Sequence, residues 1–133
     1  MSAGTVVAGM REDDEIEREI QAKRLTAPRV TPQRIEEVIA EEVFFTPADA
    51  VEGRGGQVAH NSPIRLLTIC VLVLKNGFTV TGESACASPE NFNAELGQKI
   101  ARQNAVAKIW PLEGYLLRQG LHVAAVATAS TEE

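Results

Sequence analysis

Two neighbouring β-strands are predicted by the segment Arg65–Cys86, which reads RLLTICVLVLKNGFTVTGESAC. Branched and aromatic residues, which favour strands, are frequent in both halves of the segment. Between the halves lies Asn76-Gly77, a dipeptide that readily adopts the positive φ angles of a two-residue type I′ turn. The segment therefore predicts an antiparallel hairpin.

The turn also predicts which strand faces are buried. In a hairpin with a two-residue turn, Val73 faces Val80 and Val71 faces Gly82. The face expected in the core carries Ile69, Val71, Val73, Phe78 and Val80. The other face of the first strand carries Leu66, Cys70, Leu72 and Leu74, so this strand is apolar on both sides. Because a two-stranded sheet in so short a chain cannot bury both faces, we expect the second face or an open edge to contact another subunit.

A helix before the hairpin is predicted by Thr31-Pro32, a hydroxyl cap followed by proline at the first helical position. Apolar residues then recur at helical spacing, and glutamates occupy the other side. We expect this helix to run from Pro32 to Phe44. The glycine-containing segment Phe45–Ser62 is interpreted as a loop.

A long helix after the hairpin is predicted by a second cap-proline pair, Ser88-Pro89. Since the residue before a proline avoids the α region, Pro111 is expected to end this helix at about Ile109. A short helix should follow between Pro111 and Gly120.

The chain of 133 residues has the length of one domain. We expect a disordered or charged helical extension over residues 1–27, an α+β core domain over 28–120 and a flexible tail over 121–133. The predicted fold class is α+β, with an antiparallel β-hairpin packed against a long C-terminal helix and an N-terminal helix. Because the core is thin, an oligomer is expected.

Charge and cysteine content limit the possible classes of function. The formal net charge is -5, which argues against a nonspecific nucleic-acid binder. The longest apolar run is too short to cross a bilayer, and no secretory signal pattern is present, so no membrane association is expected. Cys70 and Cys86 are expected on opposite faces of the hairpin and unpaired, as in a reducing compartment.

No set of catalytic residues is evident in the sequence. His60 and His122 lie in a predicted loop and tail, with no nucleophile at a recognisable spacing. No Cys/His cluster has zinc-ligand spacing, and the glycines around Gly55 match neither a P-loop nor a dinucleotide motif. We therefore expect a binding protein with no cofactor and no metal, rather than an enzyme.

One polar face of the long helix suits an anionic ligand. Asn91, Glu95, Lys99 and Arg102 recur at three- and four-residue spacing, and Phe92 lies beside Asn91. Arg102 and the free N–H groups of the first turn would hold phosphate, Phe92 would stack on a base, and Asn91 and Glu95 would contact polar edges. A surface Glu95–Lys99 ion pair with Phe92 in the core explains the same residues without a ligand.

The hairpin and the following segment resemble a known family. The residues that carry the resemblance are Leu67–Cys86, Pro89–Asn93, Gly97–Arg102 and Ala105–Tyr115. Together they resemble the gene-49/gene-66 family of small tailed-phage proteins, over Val30 to Leu117.

The same layout is similar to that of the phage Thoeris anti-defence proteins of the first type. Those proteins are sponges: they form oligomers and bind, without cleavage, cyclic ADP-ribose isomers made by bacterial TIR-domain defence enzymes, and some also bind cyclic di- or trinucleotides. The resemblance implies a protein of the host bacterial cytoplasm whose partners are a small cyclic nucleotide-type ligand and its own copies, as a dimer or hexamer. Arg65, at the open end of the hairpin, and Phe78, beside its turn, are further candidate ligand-binding residues.

A different class of function also fits the residues. The segment Met10–Leu25 is dense in charge, with acidic residues first. Such a segment could orient a basic partner, so a phage adaptor or inhibitor that binds a host protein is the alternative.

Overall fold

A computed structural model describes residues 13–132 of the chain. The first helix, α1, covers residues 13–22. It is followed by α2 (Pro32–Glu37), β1 (Ile39–Phe45), α3 (Pro47–Gly53), β2 (Leu67–Leu74), β3 (Thr79–Ala85) and α4 (Ala94–Glu132). Short 3-10 turns precede β2 and α4, at Pro63–Arg65 and Pro89–Asn91. The predicted α+β class, with an antiparallel sheet, a long C-terminal helix and an N-terminal helix, is confirmed.

The sheet contains a strand that we did not expect. Its order is β1-β2-β3, all antiparallel. Residues assigned to a helix ending at Phe44 instead form β1, with Val43 opposite Val71, so the prediction of that helix was wrong beyond Glu37. The branched and aromatic residues of β1 favour a strand, and pairing satisfies the backbone groups that β2 would otherwise leave open at its edge.

The hairpin is confirmed, but its turn and register differ from the prediction. The Leu74 N–H donates to the Phe78 carbonyl over 2.7 Å, and the Gly77 N–H donates to the Leu74 carbonyl over 2.8 Å. Gly77 has a φ of 90°, so the loop has three residues with a left-handed glycine as the bulge. The additional residue shifts the pairing by one, and Leu72 now lies opposite Val80.

The buried face of β2 is therefore the opposite of the one predicted. It carries Cys70, Leu72 and Leu74, all buried. The face expected in the core carries Ile69, Val71 and Val73, which are only partly buried. Phe78 is also outside the core, with 53% of its surface exposed, whereas Val80 is buried as expected. A register slip of one residue exchanges strand faces in this way.

Helix α4 comes very close to the sheet at Gly82. A Cβ atom at Gly82 would overlap the carbonyl oxygen of Ala101 and the amide nitrogen of Ala105. Both alanines are fully buried. Glycine on the strand and alanine on the helix let the two backbones approach, so α4 packs on the face that carries Cys70 and Leu72.

Helix α4 is continuous, which corrects several predictions. It extends from Ala94 to Glu132, with no break at Pro111 and no irregular segment between Gly120 and residue 132. Proline removes one backbone N–H, whose acceptor would be the carbonyl of Ala107, four residues earlier. Ala107 is exposed, so water can replace that hydrogen bond.

The start of α4 also differs from the predicted one. Pro89–Asn91 forms a 3-10 turn, and Ser88 makes no side-chain cap. The cap comes from Asn93, whose side-chain oxygen accepts a hydrogen bond from the Leu96 N–H over 3.0 Å. A short Asx cap of this kind competes effectively with an earlier cap-proline signal.

The segment interpreted as a loop, Phe45–Ser62, contains helix α3. The Thr46 hydroxyl accepts from the Asp49 N–H, and the Asp49 carboxylate accepts from the Thr46 N–H, each over 3.1 Å. This reciprocal capping box with Pro47 at the first helical position starts the helix. The sequence at Thr46-Pro47 carries the same kind of helix-start signal as Thr31-Pro32.

Cys70 and Cys86 are both free thiols, as predicted. Within residues 13–132, no helix has the length and apolar content needed to cross a bilayer.

Candidate functional site

A cavity of about 300 Å³ lies at one end of the sheet, beside the last residues of β1, the first residues of β2 and the first turns of α4. Its apolar wall includes the aromatic rings of Phe44, Phe45 and Phe92. Its polar lining is formed by Thr46, Asp49, Arg65, Thr68 and Gln98. An aromatic wall with a few convergent polar groups is typical of a small-molecule site.

The end of β1 supplies two of the aromatic residues. Phe44 and Phe45 are consecutive on the strand, so their side chains leave it on opposite faces and approach the cavity from two sides. The capping box of α3 then holds Thr46 and Asp49 in place. Because the sequence predicted a helix through Phe44, it did not predict this part of the site.

The position of the third aromatic residue, Phe92, is set by the 3-10 turn that precedes α4. Phe92 has extended backbone angles, and its N–H donates to the Pro89 carbonyl over 3.1 Å. Thr68 of β2 is buried beneath the first turns of α4. A Cβ atom at Gly97 would come within 2.8 Å of the Thr68 hydroxyl oxygen, so glycine there allows helix and strand to meet at the cavity floor.

Arg65 is the cationic residue of the cavity lining. Its Nε donates to the Ala59 carbonyl over 3.0 Å, and its Nη2 donates to the Val58 carbonyl over 2.7 Å. Nη2 also lies 2.9 Å from a carboxylate oxygen of Glu52. Arg65 thus fastens the loop after α3, and a ligand phosphate would compete with Glu52 for the guanidinium.

Three of the predicted residues adjoin the cavity without lining it. Asn91 precedes Phe92, while Glu95 and Lys99 each follow a lining residue of α4. Lys99 and Glu95 form an exposed pair, with 3.4 Å between Nζ and Oε1. The surface ion pair that we considered as the alternative interpretation is therefore present, and Phe92 faces the cavity.

Arg102 lies on a different side of α4, against α2 and β1. Its Nε donates to Glu42 over 2.7 Å, and its Nη2 donates to Glu36 over 2.8 Å. The hydrogen bonds that Arg102 donates to Glu36, and then the one to Glu42, raise the pKa of Arg102 above its already high ordinary value. Arg102 is not among the residues that line the cavity, and here it ties three elements together.

Phe78 lies at the far end of the hairpin from the cavity. Its N–H donates to the Asn76 side-chain oxygen over 3.0 Å. Thr68, which lines the cavity, is separated from the turn by six residues of β2, or about 20 Å of strand. Within one chain, Phe78 therefore does not share a site with Phe92 and Arg65.

No group of three or more His, Cys, Asp or Glu side chains in residues 13–132 is placed to hold a metal ion. The lining of the cavity offers aromatic rings, hydrogen-bonding groups and one guanidinium.

Comparison with known proteins identifies one family. A family model described as "Phage protein (N4 Gp49/phage Sf6 gene 66) family" matches residues 30–121. The match includes the whole sheet, every residue that lines the cavity and α4 as far as Leu121. No curated protein and no solved structure matches the chain.

Proposed function

Because the chain belongs to the N4 Gp49/phage Sf6 gene 66 family of phage proteins, we propose that it is an anti-defence protein that sequesters a host immune signal. The proposed ligand is a cyclic ADP-ribose-type molecule or a cyclic oligonucleotide. The protein holds the ligand in the host cytoplasm without cleaving it. Family membership supports the phage origin, and the cavity supports the class of ligand.

The observation that carries the proposal is the combination of aromatic rings and one guanidinium in the cavity. A nucleobase has two apolar faces and a polar edge, and the rings of Phe44, Phe45 and Phe92 offer apolar surfaces on which it can stack. Threonine, glutamine and aspartate side chains supply hydrogen-bonding partners for the edge of the base or for a ribose. Arg65 supplies the positive charge that a phosphate requires.

The volume of the cavity limits how much of the ligand it encloses. About 300 Å³ is at the small end of the range for ligand pockets. The cavity would enclose one nucleoside, and the remaining ring of the ligand would extend over the exposed side chains of Asn91 and Lys99. A ligand held in this way still has a solvent-facing side that a second chain could cover.

The chemistry of the lining supports binding rather than turnover. Among the described residues that line the cavity, none is a histidine or a cysteine. Asp49 is the carboxylate of the lining, and one of its oxygens already accepts the Thr46 N–H. A general base must reach the proton that it removes, and this carboxylate is engaged in starting α3.

Isothermal titration calorimetry against a panel of cyclic ADP-ribose isomers and cyclic di- and trinucleotides tests the proposal. We expect a stoichiometric complex with at least one member of the panel, equally strong with and without Mg²⁺. Mass spectrometry after denaturation should recover the ligand with its mass unchanged. The proposal fails if no panel member produces heat with well-folded protein at high concentration, or if the recovered ligand is hydrolysed.

A second candidate function is the adaptor that binds a host protein through its acidic N-terminal segment. The exposed apolar side chains of Ile16 and Leu25 in an otherwise charged region favour it. Deleting residues 1–25 separates the two ideas. Ligand binding should survive the deletion if the cavity is the functional site, whereas an adaptor would lose its activity.

A further inference from the structure

The hydroxyl of Thr68 is a buried polar group with no partner in the part of the chain that the structure describes. Only 3% of the surface of Thr68 is exposed. Within residues 13–132, its side chain takes part in no hydrogen bond. Every side-chain nitrogen or oxygen atom of these residues that is sealed from solvent does have a partner, so the Thr68 oxygen must be reached through the cavity that Thr68 lines.

A hydroxyl in this position does not help the free protein to fold. A buried hydroxyl gives up its hydrogen bonds to water, which is unfavourable unless another group replaces them. The strand residues that face the same way, Cys70, Leu72 and Leu74, are all apolar and buried. Valine has the same branched shape and favours a strand at least as strongly. Threonine at the cavity end of this row therefore indicates a polar contact that the free protein does not make.

The Thr68 oxygen lies against the start of α4. A Cβ atom at Gly97 would come within 2.8 Å of it, so the hydroxyl is directly beneath this turn of the helix. In residues 13–132, no acceptor takes the N–H groups of Ala94 and Glu95, the first two residues of α4. Ala94 also lines the cavity. The cavity floor at Thr68 is therefore rich in hydrogen-bond donors.

This arrangement favours a ligand atom that accepts hydrogen bonds. The free N–H groups at the start of a helix carry partial positive charge, and a hydroxyl can donate its proton to the same acceptor. Gln98, which also lines the cavity, can add the N–H groups of its amide. The atom that fits such a set of donors best is an oxygen with partial or full negative charge.

We propose that the Thr68 hydroxyl determines specificity in the cavity by donating a hydrogen bond to an acceptor oxygen of the ligand. In a nucleotide, this oxygen is a phosphoryl oxygen or the carbonyl oxygen of a base. The proposal rests on the proposed function, because it takes the same cavity as the ligand site. It adds a binding residue on β2 that was not among the residues predicted from the sequence.

Arg65 is less suited to this directional contact. Its Nε and Nη2 donate to the carbonyls of Ala59 and Val58. Nη2 also donates to Glu52 over 2.9 Å. A ligand oxygen at the guanidinium must replace Glu52, whereas the Thr68 hydroxyl has no partner to lose. Arg65 thus adds positive charge to the cavity, and Thr68 makes the contact that depends on the position of one oxygen.

The first experiment compares the stability of two variants of the full chain. Thr68→Val removes the hydroxyl and keeps the branched shape, so the thermal midpoint of the ligand-free protein should stay the same or rise. Thr68→Ser keeps the hydroxyl and loses a buried methyl group, so its midpoint should fall. Differential scanning calorimetry measures both midpoints against that of the wild type.

The second experiment titrates the same proteins with small probes, followed by NMR. Inorganic pyrophosphate offers phosphoryl oxygens without a base, and inosine carries a carbonyl oxygen on its purine ring that purine riboside lacks. The wild type should bind pyrophosphate if Thr68 contacts a phosphoryl oxygen, or prefer inosine to purine riboside if it contacts a carbonyl. For the probe concerned, Thr68→Val should weaken binding by at least about 10-fold and Thr68→Ser by less than about 3-fold.

Thr79→Val is the matched control for the loss of a hydroxyl. Thr79 is an exposed strand residue at the hairpin end of β3, away from the cavity. The same chemical change there should leave the binding of every probe unchanged. A general effect of valine on the sheet would instead weaken binding in both threonine variants.

Three outcomes would overturn the proposal. A midpoint of Thr68→Val clearly below that of the wild type would mean that the hydroxyl stabilises the free protein. Unchanged binding of both kinds of probe in Thr68→Val would mean that the hydroxyl contacts neither oxygen, and a wild type that binds no probe would mean that the floor is not a binding site. None of these probes is a cyclic signal, so the calorimetric test of the proposed function can succeed or fail independently.

Discussion

At Gly82, a single hydrogen atom in place of a methyl group allows α4 to lie on the sheet. Gly82→Ala would drive a Cβ atom into the backbone of Ala101 and Ala105, which cannot rotate away. We expect a loss of about 1–3 kcal/mol in the free energy of unfolding, measured by urea denaturation. The position also explains why Leu72 and Val80, rather than Ile69 and Val71, face the helix.

The matched control for Gly82 is Gly114, on α4 with no atom within 4 Å of an added Cβ. Gly114→Ala should stabilise the protein by up to about 1 kcal/mol, because alanine favours a helix more than glycine does. Equal stability of Gly82→Ala and the wild type would show that the close approach has no energetic importance.

Phe92 is the residue for which the ligand proposal makes the sharpest prediction. Stacking of one base on an aromatic ring contributes about 1–3 kcal/mol. Phe92→Ala should therefore weaken ligand binding by about 5- to 150-fold in calorimetry while the protein remains folded by circular dichroism. Tyr115→Ala, which removes an exposed aromatic ring outside the cavity, is the control. An unchanged ligand affinity of Phe92→Ala would show that the ligand does not bind in the cavity.

At the scale of elements, Arg102 connects α4 to α2 and β1. Its partners Glu36 and Glu42 are about half exposed, so solvent and salt weaken both ion pairs. Arg102→Met should lower the free energy of unfolding by about 1 kcal/mol in low salt and by less in high salt, as measured by urea denaturation.

The ligand affinity of the same variant shows whether Arg102 only connects these elements or also binds phosphate, as predicted from the sequence. If Arg102 only joins elements, Arg102→Met leaves the ligand affinity unchanged, while Arg65→Met lowers it. Lys108→Met, at an exposed position further along α4, controls for the loss of one positive charge. A large loss of ligand affinity in Arg102→Met, with no loss in Arg65→Met, would support the phosphate-binding role predicted for Arg102.

Helix α1 is fastened to the following segment by one carboxylate. Both oxygens of Glu17 accept hydrogen bonds from Arg29, over 2.6 and 2.8 Å, and Gln21 donates a third. The bonds from Arg29, followed by the one from Gln21, lower the pKa of Glu17 from 4.5 to about 2. Since the folded pKa is the lower one, the unfolded chain binds the proton more readily.

The contribution of Glu17 to stability should therefore be complete above pH 4.5 and disappear as the pH falls towards 2. The stability difference between the wild type and Glu17→Gln, followed by denaturation at a series of pH values, measures this effect. It should be constant above pH 4.5 and shrink below it. A difference that persists at pH 2 would mean that the charge of Glu17 is not what fastens α1.

At the scale of the whole molecule, the protein has two layers, and α4 covers one side of the sheet. Every buried apolar residue of the core lies between Ile35 and Ile109. Residues 115–130 of α4 therefore add nothing to the core, and this separation can be tested by truncation.

A chain that ends at Gly114 should fold cooperatively, because it retains every buried apolar residue of the core. Its thermal midpoint, measured by differential scanning calorimetry, should stay close to that of the full chain. A truncated chain that does not fold would show that the end of α4 contributes to the stability of the core.

Local signals in the sequence were sufficient for the class of fold and for part of the site. Strand-forming residues on both sides of Asn76-Gly77 predict the hairpin in any context, and the cap-proline pair at Thr31-Pro32 correctly starts α2. Phe92 was chosen for its chemistry and Arg65 for its place at the open end of the hairpin, and both line the cavity. These features depend on neighbours in the chain, so the sequence alone determines them.

Only the tertiary structure decided the length of α2, the register of the hairpin and the position of Arg102. Each depends on contacts between distant segments: β1 forms because β2 offers it an edge, and Gly82 meets the alanines of α4 in one register only. Arg102 turns to Glu42 because β1 has replaced the end of a predicted helix. Pairing and packing between distant segments outweigh local preferences, because they satisfy many backbone groups and bury more apolar surface than a single turn of helix can.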